Sequence, residues 1–102
     1  MTDASFEDEV LRSELPVIVS FGAPWCRPCK AIQPWLDAIA ETHSGRIRLV
    51  SLDIDGNLGV PARYGVLAVP TVILFSNGEA RTTLAGARPR RVYEEAVAAL
   101  LA

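Results

Sequence analysis

At 102 residues, 50% hydrophobic and 22% charged, the chain fits one globular domain over residues 1–102 built on one core. That composition excludes a disordered or fibrous protein. A formal net charge of −2 gives no basis for nucleic acid or an anionic membrane surface as the main partner. The acidic opening MTDASFEDEV has neither the positive nor the apolar segment of a secretory signal. No apolar run approaches the ~20 residues that cross a bilayer, so a cytoplasmic protein is expected.

In chain order, an opening helix is expected from Ser5 to Leu11, with Ser5 as its N-cap. Leu15 to Gly22, LPVIVSFG, is a β-branched apolar run between proline and glycine and reads as a buried strand. Next, CKAIQPWLDAIAETH sets Ile32, Leu36 and Ile39 on one helical stripe. Gly45 should end that helix and Pro34 should kink it. Trp35 on this helix reads as packing, and His43 as a solvated helix-end residue. Arg46 to Ile54 reads as a second strand, followed by a short helical piece around Pro61 to Tyr64. A hairpin follows: a strand Thr71–Phe75, the turn Ser76-Asn77-Gly78-Glu79, and a strand Arg81–Ala85. Pro89 opens a C-terminal helix with Val92, Ala96, Val97 and Leu100 on one face. The expected fold class is therefore α/β, with a sheet that is parallel in one part and antiparallel in another.

The only two cysteines lie in FGAPWCRPCK, two residues apart, where the first strand gives way to the long helix. A structural clip closes too short a loop to restrict the unfolded chain much. A metal site would have Cys26, Cys29 and a distant His43, fewer than the four ligands of a closed zinc site unless two copies combine. A redox pair has the best physical support. Unpaired N–H groups and the helix dipole favour an anion at Cys26, lowering the pKa of its thiol and making it the nucleophile. Cys29, one turn along, is expected to lie deeper and to attack a mixed disulfide formed at Cys26.

Over nearly its whole length the chain resembles the thioredoxin family. The resemblance is carried by APWCRPCK, Pro34, LDID at Leu52–Asp55, RYGVLAVPT at Arg63–Thr71, FSNGE at Phe75–Glu79 and AGA at Ala85–Ala87. It implies a thioredoxin fold with a mixed sheet of about four strands flanked by helices. The implied activity is thiol–disulfide oxidoreductase, reducing protein disulfides through Cys26 and Cys29. The implied electron donor is an NADPH-dependent thioredoxin reductase, and the resemblance implies no bound cofactor and no metal. Pro70 matches the family's cis-proline. Trp25, Pro28, Val69, Pro70, Gly86 and Ala87 would form an apolar docking surface, with the Val69 backbone pairing to a substrate segment. Other readings of the fold are a non-catalytic docking subunit or chaperone, and a more oxidising oxidase or isomerase.

Several positions depart from the family pattern. Ser20 stands where a buried aspartate is usual, and Ser51 where a lysine often partners it; losing both members of a buried ion pair is milder than stranding one. Without that carboxylate the resolving step is expected to be slower. Arg27 replaces the usual glycine. With Ser20 and the neighbouring Lys30 it is assigned to redox tuning, and the balance is expected to favour the thiolate and a more oxidising potential. Only Met1–Ala4 precede Ser5, so the family's first strand is expected to be missing unless the true start lies upstream. The Arg46–Asp53 strand would then be a sheet edge, leaving a monomer with edge pairing into a dimer as the alternative. Arg88, Arg90 and Arg91 read as a solvated helix start on the same side as Arg27, or as a surface for acidic partners.

Overall fold

The computed structural model describes residues 1–102. The chain forms β1 (Val17–Gly22), α1 (Arg27–Thr42), β2 (Arg48–Asp53), α2 (Gly59–Arg63), β3 (Thr71–Ser76), β4 (Glu79–Ala85) and α3 (Arg90–Leu101). A short π-helix at Glu7–Leu11 precedes β1. The sheet order is β2-β1-β3-β4. β1 runs parallel to β2 and antiparallel to β3, giving the four-stranded mixed sheet of a thioredoxin fold. The expected edge position of β2 is observed, and the first strand in the chain is β1.

Period-two alternation divides the core between the two faces of this sheet. Val17, Val19 and Phe21 of β1 join Ile73 and Phe75 of β3, and Phe6 and Val10 cover them. Ile18, Val72 and Leu74 face the other way, beneath Ile32, Leu36 and Ile39 of α1 and Tyr93 and Val97 of α3. Each such side chain contributes roughly 1.5–3 kcal/mol when fully buried. Ser20, two residues after Ile18, therefore points to the helix-covered face and lies beneath the start of α1.

Three local expectations are corrected. The opening segment is a π-helix, with Phe6 at its N-cap position and no side-chain cap. The Arg12 amide reaches back five residues to the Glu7 carbonyl at 2.9 Å, and this wider turn puts both Phe6 and Val10 in the core. The Ser5 hydroxyl bonds the Thr2 carbonyl and the Glu9 carboxylate instead of capping. On α3, Tyr93 rather than Val92 takes the buried place. Its ring is apolar and its hydroxyl accepts the Arg88 N–H at 3.1 Å, so both ends of the side chain are satisfied.

The hairpin turn forms as expected, with Asn77 at φ 53° and Gly78 at φ 76°, the left-handed pair that a two-residue turn demands. Asp3 ties the N-terminal segment to α2. Its carboxylate accepts the N–H groups of Gly59 (2.8 Å) and Val60 (2.9 Å), where α2 has no cap of its own.

Candidate redox site

The topology gathers one end of the sheet. β1 ends at Gly22 beside the last residue of β2, Asp53, and Phe21 pairs with Thr71 at the start of β3, which pairs in turn with Ala85 at the end of β4. The cysteine loop, Val69–Pro70 and Gly86–Ala87 thus all emerge at that end.

Cys26 is the N-cap of α1, with extended backbone, and Pro28 lies in the first turn, where its missing N–H costs nothing. The Cys26 Sγ accepts the Cys29 N–H at 3.2 Å, so a helix N–H group that would otherwise be orphaned points at the sulfur. In the reduced protein a negative charge on that sulfur is favoured by this bond and by the helix dipole. Cys26 and Cys29 form a disulfide, with their Cα atoms 5.3 Å apart. Pro34 lies inside the continuous helix Arg27–Thr42.

The expected depth order of the two cysteines is reversed. Cys26 is 3% exposed, whereas Cys29 is half-buried. The reason is the space beneath Cys29. A solvent-open cavity of about 410 Å³ is lined by Ser20, Gly22, Cys29, Lys30, Ser51 and Asp53 among others. Ser20 and Ser51 are register partners, and their short side chains leave this room. Gly22 lies tight against the pair, since a Cβ there would meet the Cys29 Sγ at 3.4 Å.

The remaining predicted residues flank this centre. Trp25 is 65% exposed, and its Nε1–H donates to the Asp55 carboxylate at 2.8 Å. Pro28 and Ala87 are exposed, Val69 and Gly86 half-buried and Pro70 buried. The Val69–Pro70 bond is cis, and the Gly86 N–H donates to the Pro70 carbonyl at 2.8 Å, linking the two loops. Arg27 and Lys30 are exposed on α1. Arg90 pairs with Glu94 one turn on, and Arg88 donates to the Ala85 carbonyl, so two of the three clustered arginines have partners within their own segment. Trp35 packs against the helix-side core, and His43 is the half-buried C-cap of α1.

Asp55 and Asp53 were not singled out from the sequence. The LDID stretch carries both, but their contacts with the cysteine loop join residues about thirty positions apart, which only the β1–β2 pairing brings together.

The thioredoxin family model matches residues 1–99. The chain is 44% identical over 94 residues to a thioredoxin of Porphyra purpurea, covering 92% of this chain and 88% of that one. It is 48% identical over 90 residues to a thioredoxin of Streptomyces clavuligerus (88% and 83% covered). A thioredoxin of Haemophilus influenzae is 41% identical over 90 residues (88% and 84%). The chain belongs to the thioredoxin family. It is a thiol–disulfide oxidoreductase that reduces protein disulfides, and the family acts on protein substrates. No helix of this chain is long and apolar enough to cross a membrane.

Proposed function

We propose that Cys26 is the attacking thiol and Cys29 the resolving thiol of the reductive cycle. The observation that carries this reading is the Cys29 N–H donating to the Cys26 Sγ at the N-cap of α1, with Cys29 in disulfide contact one turn along. The Cys26 thiolate attacks a substrate disulfide, forming a mixed disulfide and releasing one substrate thiolate. The Cys29 sulfur then bonds to Cys26, and the second substrate thiolate departs. Two electrons pass to the substrate and the Cys26–Cys29 disulfide remains.

Trp25, Pro28, Val69, Pro70, Gly86 and Ala87 form the docking surface, and a substrate segment adds briefly to the Val69 backbone as an extra strand. Arg27, Ser20 and Lys30 tune the potential. The single domain 1–102 works as a monomer in the cytoplasm, since one chain supplies both cysteines and every group around them. An NADPH-dependent thioredoxin reductase recharges it.

The test is a coupled assay with NADPH, thioredoxin reductase and insulin as the disulfide substrate. Turnover by the wild type, none by Cys26→Ser, and an accumulating mixed disulfide in Cys29→Ser are expected. Turnover by Cys26→Ser, or a Cys29→Ser variant that traps nothing, would contradict the assignment.

A further inference from the structure

The resolving step needs a proton acceptor, because Cys29 attacks as a thiolate. The cavity beside Cys29 places one carboxylate against the same space, that of Asp53 at the end of β2. Its Oδ1 is tied by the Asp55 N–H at 2.9 Å, which fixes the side chain and leaves Oδ2 available. The other polar walls are Lys30, Gln33, Ser20 and Ser51, and the two serine hydroxyls both donate and accept. At about 410 Å³ and open to solvent, the cavity is roomy enough to carry water between Cys29 and Asp53. Cys29, not Cys26, lines it, so the path serves only the second thiol.

We infer that Asp53 is the proton acceptor for Cys29, acting through cavity water. It is a positioning residue for the proton and touches neither sulfur. The inference rests on the proposed roles of Cys26 and Cys29. In the resolving step the Cys29 S–H proton passes through water to the Asp53 carboxylate. The freed electron pair forms the Cys29–Cys26 bond, and the bond from Cys26 to the substrate sulfur breaks with its pair on the departing thiolate. Asp53 returns the proton to solvent, from which the substrate thiolate is protonated. When the Cys26–Cys29 disulfide is reduced, the same path runs backwards and delivers a proton to Cys29.

Lys30 of α1 lines the same cavity, and Asp55 follows Asp53 on its own segment, where it is occupied with Trp25.

Rapid mixing of the reduced protein with dithiobis(nitrobenzoate) separates the two steps. A first release of thionitrobenzoate reports attack by Cys26, and a second reports attack by Cys29 on the mixed disulfide. At pH 7, Asp53→Asn should leave the first phase within about twofold and slow the second about tenfold, below the usual range for a directly placed base. The second phase should then rise more steeply with pH than in the wild type, and acetate or a companion Ser20→Asp substitution should restore it. A second phase unchanged by Asp53→Asn overturns the inference. So does a slowed phase that neither acetate nor Ser20→Asp restores, since that marks a purely structural role. A wild-type first phase no faster than free cysteine would instead overturn the roles of the two thiols, and this inference with them.

Discussion

The centre and the edges of the sheet are built by different rules. β1 and β3 each bury five of their six residues; β1 ends and β3 begins at the redox site. β2 buries one residue and β4 none, although the same ladder bonds hold them. The centre fixes where Cys26 and Pro70 stand. β2 adds Ser51 and Asp53 to the wall of the cavity beside Cys29, opposite Ser20 and Gly22 of β1.

The largest effect should come from the end of the centre. Replacing Cys26 by serine abolishes disulfide reduction while leaving thermal unfolding nearly unchanged, which calorimetry beside the insulin assay would verify. Next, one cross-strand pair tests the comparison directly. Ile73 and Thr83 are register partners, one buried in β3 and the other exposed on β4. Ile73→Ala should cost about 2–5 kcal/mol in urea unfolding, and Thr83→Ala no more than about 0.5 kcal/mol. Similar losses at both positions would erase the distinction.

Asp3→Ala should cost about 1 kcal/mol, the usual loss for a helix cap, with the slope of the denaturation curve unchanged. A null result would mean that α2 stands without this tie. The smallest effect concerns potential. Arg27→Gly combined with Ser20→Asp should make equilibrium with glutathione more reducing. The exposed Arg27 accounts for roughly 20 mV of this. A potential unchanged or more oxidising would defeat the account of the thiolate's surroundings.

The same division decides what the sequence makes legible. LPVIVSFG and PTVILFS are near-continuous apolar runs bounded by turn residues, so the central strands, the hairpin and the cysteine loop can be read directly. The helix stripe on α1 is equally plain, because Ile32, Leu36 and Ile39 follow a local period. What escapes is non-local or geometrically irregular. Asp3 caps a helix 56 residues away, and Asp55 holds Trp25 from 30 residues away. The opening segment has a helical pattern, but packing Phe6 and Val10 together widens it to a π-turn. The depth order of the cysteines escapes for the same reason. It depends on a cavity whose walls come from β1, β2 and α1, and no window of sequence contains all three.

Competitive alkylation of the reduced protein across pH, read by mass spectrometry at each cysteine, tests the foundation of the mechanism. Cys26 should react with iodoacetamide at pH 7 well ahead of Cys29, with an inflection below the value of about 8.5 for a free thiol. A Cys26 that titrates like free cysteine, or that reacts no sooner than Cys29, would contradict it.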